Sequence, residues 1–392
     1  MQSQVYLINV FRHVTVVWWL FWLLIAVVTV GGLSWEVIML VLMSLLGFYL
    51  GTFRFGILTT NVDFRSDNSD SVNVIVIYLL ACIILFQFYL LKQSFVSIST
   101  LGDVFRSAYY EGETLGGSYV FVLYEAFIIP VGIYLISYWA CKGGRGGALV
   151  FFILVFFSID AAIKIGRFPL YFAMFFLAYI HLTGVYVFKI KYIIAFIVGV
   201  LSISFYLLIL RASFVGEFNV DLIQLMFEKA FINYHIVGFY ILDAFTQMKG
   251  MEHYSAFPYY TLGFFQYMAS LFLRRVGVDI EYPQQHLNVV LSNPVDIGVM
   301  GYSNAFGTNL LPLYLDGGFI LCFIVFFIMG WLLRTRICSI GKGFSPINLI
   351  VAFTMFFGIF QPVIMSGIFL LPLTIHCLVS LAVYSIDIKR AV

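Results

Sequence analysis

Long apolar runs separated by short basic segments constrain this chain more than any other feature of its sequence. A bilayer core about 30 Å thick is crossed by about 20 helical residues, each rising about 1.5 Å. The chain is 62% hydrophobic and only 10% charged, so it has more apolar surface than a soluble domain can bury. It is therefore predicted to be an all-α polytopic membrane protein with about ten transmembrane helices. The predicted spans lie near residues 14 to 33, 36 to 53, 72 to 91, 119 to 140, 147 to 166, 168 to 188, 192 to 210, 310 to 333, 347 to 366 and 368 to 387.

The positions of lysine and arginine predict the orientation of these spans, because short basic loops remain in the cytoplasm. With the N-terminus inside, every predicted inner segment is basic, whereas the short outer connections carry almost no charge. Both termini are then cytoplasmic. The basic residues assigned to the inner side are Arg12, Arg54, Arg65, Lys142, Arg145, Lys189, Lys191, Arg334, Arg336, Lys342, Lys389 and Arg390.

One large loop is predicted on the outer side, at residues 211–309, between the seventh and eighth spans. The chain thus divides into spans one to seven (1–210), this loop, and spans eight to ten (310–392). The loop has five basic and eight acidic residues, a net charge of −3. Its apolar parts, 222–248 and 256–273, are expected to lie along the membrane surface or to re-enter it. A segment of this length is more often a lid or binding element than a connector.

Charged residues within the apolar runs are expected to have a structural or functional role, since inserting each at mid-bilayer costs about 2.5 to 3.5 kcal/mol on insertion scales. Asp160 and Lys164 are four residues apart on the fifth span, so they are predicted to pair. Arg167 and Arg211 close the fifth and seventh spans at one depth, which suits an anion site, although Arg167 also fits contact with lipid headgroups. Glu125 fits either a buried structural partner or a ligand for a proton or sugar hydroxyl.

Three residues of the large loop complete the candidate chemistry. Arg274 and Arg275 follow an apolar segment and can bind phosphate oxygens, or simply lipid headgroups. His286 is a candidate base near neutral pH, although a lone loop histidine is more often a surface residue. No metal-binding or serine-hydrolase motif occurs in the sequence, so no metal or other cofactor is expected.

Small residues in the second span predict close helix packing. Gly47 and Gly51 form a GxxxG pattern, which lets two helix backbones approach each other within a membrane.

A short stretch near the eighth span resembles a known family. It reads Tyr302-Ser-Asn-Ala-Phe-Gly-Thr-Asn and continues to Tyr314-Leu-Asp316-Gly-Gly318. It is similar to the element that follows the large periplasmic loop in bacterial oligosaccharide repeat-unit polymerases, the O-antigen polymerase or Wzy-type group. The number of spans, the cytoplasmic termini and the loop before the last three spans resemble that group too.

The resemblance implies a metal-independent glycosyltransferase of the bacterial inner membrane, used in lipopolysaccharide and related polysaccharide biosynthesis. A growing glycan on undecaprenyl pyrophosphate is moved onto a newly flipped lipid-linked repeat unit. Besides that oligosaccharide and membrane lipid, the implied partners are a chain-length regulator and the repeat-unit flippase, and no nucleic acid is implied. The implied catalytic residues are Arg211, Arg167 and His286, and the implied substrate-binding residues are Arg274, Arg275, Asn304 and Asp316. Asn304 and Asp316 fit equally well as polar caps where the eighth helix begins.

Two other functions remain open. A transporter or flippase of lipid-linked oligosaccharide is the main alternative, although such proteins are often built of two similar halves, which this sequence lacks. The ligase that moves finished O-antigen onto the lipid A core has the same general build. A structural or signalling membrane protein would give no reason for outer arginines at matching depth.

Overall fold

The structure, a computed structural model, is predominantly helical. It describes residues 2–30, 32–53, 70–101, 120, 123–124, 128–141, 146–164, 166, 168–215, 234–247, 273, 276–278, 295–296, 302–303 and 310–339. The helices are α1 (Gln2–Val30), α2 (Trp35–Gly51), α3 (Asp70–Leu101), α4 (Ile129–Cys141), α5 (Gly146–Ile163), α6 (Phe168–Leu182), α7 (Ile190–Val215), α8 (Tyr234–Gln247) and α9 (Leu310–Ser339). Two short strands, β1 (Val295–Asp296) and β2 (Tyr302–Ser303), form an antiparallel ladder.

Five of the described helices are long and apolar enough to cross a membrane, and four shorter ones are apolar as well. The chain is therefore a helical membrane protein. The five long segments are Ile8–Val28, Val74–Ser97, Gly146–Ile163, Ile190–Leu207 and Leu310–Thr335. The predicted spans at 347–366 and 368–387 lie outside the described residues.

Several helices differ in length from the predicted spans. Helix α3 runs from Asp70 to Leu101, beyond the predicted end at residue 91, and α7 continues to Val215. Helix α6 instead ends at Leu182, before the predicted end at residue 188. Gly184 follows with a φ of 71°, a left-handed conformation that commonly ends helices. Hydropathy locates the apolar centre of a span but not the polar turns by which a helix extends beyond it.

The helices form two compact units. The first, unit 1, contains α1, α2, α8, β1, β2 and α9. Helices α1 and α2 form a hairpin, in which Ser34 caps α2 by accepting a hydrogen bond from the Val37 amide at 3.4 Å. Helix α9 packs along α2, and α8 packs against both helices of the hairpin.

Glycines bring α2 and α9 into backbone contact, as the GxxxG pattern predicts. A Cβ atom at Gly47 would overlap the Phe323 carbonyl, and one at Gly51 would overlap the Phe327 carbonyl. The register advances in step along the two helices, so α2 and α9 are parallel. A third glycine, Gly330 of α9, likewise faces the backbone of α2.

The second unit, unit 2, contains α3 to α7. Helix α5 is its centre, since it contacts α3, α4, α6 and α7. Aromatic rings fill these contacts. Phe157 of α5 lies 5.3 Å from Phe172 of α6 between ring centroids, and Trp139 of α4 lies 5.5 Å from Phe152. Both ring contacts agree with the high aromatic content of the chain. In lipid, close packing rather than exclusion of water drives helix association, and large rings provide it.

Candidate functional site

Helix α9 is broken beside a buried carboxylate. Gly318 has φ 60° and ψ −151°, a conformation that essentially only glycine adopts. Asp316 stands two residues before this position and is 2% exposed. The break separates a short segment from the long part of the helix, although the Cys322 thiol still reaches the Leu310 carbonyl at 3.8 Å. Such a break interrupts the ladder of backbone hydrogen bonds at this depth and leaves polar backbone groups for other partners.

The end of unit 1 at which α2 and α9 begin is acidic. The Asp243 carboxylate of α8 accepts a hydrogen bond from the Ser34 amide at 2.9 Å. Glu36 is exposed in the first turn of α2. Acidic residues at this end of unit 1 agree with the negative net charge of residues 211–309 and do not by themselves attract an anion.

The opposite end of unit 1 is basic. Arg12 lies over the ring of Tyr49, with its guanidinium carbon 4.7 Å from the ring centroid, and it also donates to Asn9 at 2.7 Å. Arg334 is 7% exposed and donates to the Phe53 carbonyl. The sequence assigns both arginines to one side of the membrane, and the structure brings them to one end of the unit.

A buried ion pair lies within unit 2, where the four-residue spacing predicts it. The Lys164 ammonium lies 3.0 Å from the Asp160 carboxylate, and Asp160 is 3% exposed. The Tyr124 hydroxyl donates to the same carboxylate at 2.8 Å. The Lys164 nitrogen also lies 5.9 Å from the centroid of the Tyr124 ring. Donors of this kind replace the water that a buried carboxylate loses.

Gln87 of α3 extends this polar cluster. Its side-chain amide donates to the Tyr124 hydroxyl at 3.2 Å and to the Phe156 carbonyl at 3.3 Å. Gln87 is completely buried, and among the described residues none donates to its side-chain oxygen. Gln87, Tyr124, Asp160 and Lys164 thus form one connected cluster, here called the buried polar cluster.

Most of the predicted site residues lie outside the described part of the chain. Arg211 lies in α7 four residues before its last residue and just beyond the apolar segment Ile190–Leu207, so it follows the end of the span as predicted. Asp316 lies at the break in α9. Neither position tests the predicted roles, so these stay predictions. The candidates outside the described residues are Arg167, Arg274, Arg275, His286, Asn304 and Glu125.

Sequence reasoning missed three residues that hold these sites together. The sequence gives Asp243 no predicted partner, and it singles out neither Tyr124 nor Gln87. A polar residue in an apolar run is the signal that points to Gln87 and Asp243, as it does to Asp160. Tyr124 gives no such signal, because tyrosine is common throughout this chain.

Charged side chains of the described residues lie at the acidic and basic ends of unit 1, at the buried Asp316 beside the break in α9, and in the buried polar cluster of unit 2. Within the described ranges, no group of three or more His, Cys, Asp or Glu side chains is arranged to hold a metal ion. Comparison of the chain with protein-family models, curated proteins and solved structures found no match.

Proposed function

We propose that this protein is a repeat-unit polymerase of the bacterial inner membrane. It joins oligosaccharide repeat units carried on undecaprenyl pyrophosphate into O-antigen or a related surface polysaccharide, on the outer side of the bilayer and without a metal ion. The proposal rests on the segment from Tyr302 to Gly318, which resembles the polymerase element. Two structural features of this segment support the proposal. It contains a short strand at Tyr302–Ser303, and its Asp316 is buried beside the break in α9.

The reaction transfers a glycan from its pyrophosphate to a sugar hydroxyl. The bond between the anomeric carbon and the pyrophosphate oxygen breaks, and a bond from that carbon to the acceptor oxygen forms. Charge develops on the departing pyrophosphate, which Arg167, Arg211, Arg274 and Arg275 stabilise. His286 takes the proton of the acceptor hydroxyl. Asn304 and Asp316 hold the sugars in position.

The topology proposed with this function has ten spans, cytoplasmic termini and a large outer loop at residues 211–309. Both arginines described at one end of unit 1, Arg12 and Arg334, belong to predicted inner segments. The acidic residues Glu36 and Asp243 gather at the other end, which agrees with basic residues being kept on the cytoplasmic side.

Two observations favour a second candidate, a transporter of lipid-linked oligosaccharide. Broken membrane helices and buried ionisable residues commonly mark transport pathways. Helix α9 is broken at Gly318, and the Asp160–Lys164 pair is buried in unit 2. The polymerase is preferred because the broken segment is also the one that carries the resemblance.

Purified protein in liposomes separates these functions. With lipid-linked repeat units as the sole addition, a polymerase produces a ladder of longer glycans. Movement of the lipid across the bilayer without elongation identifies a transporter and refutes the proposal. A ligase elongates nothing until a lipid A core acceptor is added.

A variant of Arg211 tests the proposed anion site. Arg211→Ala is expected to reduce elongation roughly 10- to 100-fold, because a hydrogen bond to a charged group contributes about 1.5–3 kcal/mol. Lys191→Ala, which removes a charge near the other end of α7, serves as the control. Normal glycan ladders from Arg211→Ala at equal protein levels would remove this residue from the mechanism.

A further inference from the structure

Helix α8 lies deep beside α1 although it belongs to the predicted outer loop. Its His235 ring stacks on the Trp22 indole, with centroids 4.2 Å apart and planes 10° from parallel. The same ring meets Trp18 edge-on at 5.2 Å. Trp18 is the middle residue of the candidate span Ile8–Val28. The first turn of α8 is therefore level with the centre of a membrane-spanning helix.

The other end of α8 lies level with the end of the α1–α2 hairpin. Tyr240 donates a hydrogen bond to the Ala26 carbonyl, and Asp243 accepts one from the Ser34 amide. Contacts therefore advance along α1 and α8 in the same direction. From Trp18 to Ala26 the rise is about 12 Å, at about 1.5 Å per residue. Helix α8 therefore covers roughly the half of α1 nearer the hairpin turn.

The topology predicted from the sequence leaves no complete span for α8. Helices α2 and α9 are parallel, so α9 begins on the side of the membrane on which α2 begins. Between them lie α3 to α7, and if each crosses once, as the sequence predicts, the chain returns to that side. Helix α8 ends there too, at Asp243 and Ser34. The chain thus starts and finishes this segment on one side while reaching mid-depth between.

We infer that α8 is a re-entrant helix and that Asp243 is the positioning residue that fixes it against the start of α2. In lipid, a helix that stops at mid-depth leaves terminal backbone groups that need polar partners or water. Such helices occur where their ends are buried in protein or line a water-filled cavity. Strand β1 packs on α8 and pairs with β2, which immediately precedes Asn304. Asp243 thereby positions the segment on which the proposed polymerase site rests.

Cysteine labelling tests the depth of α8 independently of any activity. In the full-length chain with its five native cysteines replaced, single cysteines are placed at Ser213, His235 and Thr246. His235 and Thr246 are both half-buried, so depth rather than packing separates them. A membrane-impermeant maleimide added from the outer side should label Ser213→Cys and Thr246→Cys, but not His235→Cys.

Two results would overturn the re-entrant helix. Equal labelling at His235→Cys and Thr246→Cys would indicate a helix lying on the membrane surface. Labelling of Ser213→Cys and Thr246→Cys from opposite sides would indicate a complete span.

Substitutions of Asp243 test its positioning role. Asp243→Ala removes the acceptor for the Ser34 amide and should raise the labelling rate at His235→Cys about fivefold or more, as expected for one lost hydrogen bond. Asp243→Asn retains an acceptor oxygen and should restore the low rate. Thr246→Ala is the control, because among the described residues the Thr246 hydroxyl bonds only within its own helix, to the Asp243 carbonyl at 2.8 Å. Equal labelling rates in Asp243→Ala and Asp243→Asn would refute this role.

The effect on glycan length rests on the proposed function. Asp243→Ala should shorten the surface polysaccharide, and Asp243→Asn should not. If deleting the protein leaves the polysaccharide unchanged, the polymerase proposal fails while the labelling result still decides the topology. If the wild-type protein elongates glycans but both Asp243 variants do so equally well, only the positioning role fails.

Discussion

The two units keep their charges in different places. In unit 1 most described charged groups lie at the two ends, with Glu36 and Asp243 at one end and Arg12 and Arg334 at the other. Asp316 is the exception among them, since it is buried beside the break in α9. In unit 2 a lysine and an aspartate are paired inside the helix bundle. End charges remain near water and headgroups, whereas a buried carboxylate such as Asp160 must be compensated mainly by protein groups. Unit 2 should therefore depend more strongly on individual polar side chains.

The means of helix association differ as well. Unit 1 brings α2 and α9 together through glycines, so that backbone lies against backbone. Unit 2 packs large rings around α5, and its Gly132 faces the Phe156 ring rather than a backbone. Glycine contacts tolerate no added atom, whereas ring contacts tolerate exchanges of similar volume. The largest losses of stability are therefore expected from substitutions at the ion pair of unit 2 and at the glycine contact of unit 1.

Breaking the ion pair of unit 2 should have the largest effect. Asp160→Leu removes the carboxylate partner of Lys164 and should destabilise the protein by about 3–5 kcal/mol, the usual cost of breaking a buried pair. The measurement is thermal unfolding in detergent. Lys92→Met, which removes an exposed charge on α3, is the control and should have little effect.

The double variant Asp160→Leu/Lys164→Met sharpens this test. Replacing both partners by apolar groups removes the uncompensated charge and should recover most of the lost stability. If the double variant is as unstable as Asp160→Leu alone, the pair is not what unit 2 depends on, and the contrast between the units fails.

Adding a side chain at the glycine contact of unit 1 should have the next largest effect. Gly51→Leu forces α2 away from α9 and should destabilise by about 3 kcal/mol, the upper end of the range for overpacking. Leu46→Val, on an exposed face of the same helix, should change little. Equal melting temperatures for Gly51→Leu and the wild-type protein would show that the backbone contact does not hold unit 1 together.

The ion pair of unit 2 and the glycine contact of unit 1 could both be predicted from the sequence, because each follows from a local spacing. Four-residue spacing places Asp160 beside Lys164, and the GxxxG pattern marks Gly47 and Gly51. The hydrogen bond between Asp243 and Ser34 joins residues 209 positions apart. No local spacing predicts such a bond. The break at Gly318 was also missed, since two adjacent glycines permit a break without requiring one.

Removing the Tyr124 hydroxyl should destabilise the protein less than removing the Asp160 carboxylate, to which this hydroxyl donates. Tyr124→Phe retains the ring and loses one hydrogen bond to a charged group, which contributes about 1.5–3 kcal/mol. Tyr89→Phe, on an exposed face of α3, is the matched control. Combining Tyr124→Phe with Asp160→Leu should add almost nothing, because the hydroxyl acts through Asp160. An additive effect would mean that Tyr124 stabilises unit 2 by another route.

Gln87→Met should have the smallest effect, although Gln87 is completely buried. The substitution loses two neutral hydrogen bonds, to Tyr124 and Phe156, but neither partner depends on them. Tyr124 still donates to Asp160, and the Phe156 carbonyl can keep its bond within α5. The exchange also removes a buried oxygen that no described residue satisfies, so the net change should be within about 1 kcal/mol. A loss well above that value would show that Gln87 stabilises unit 2 by more than its hydrogen bonds to Tyr124 and Phe156 are expected to contribute.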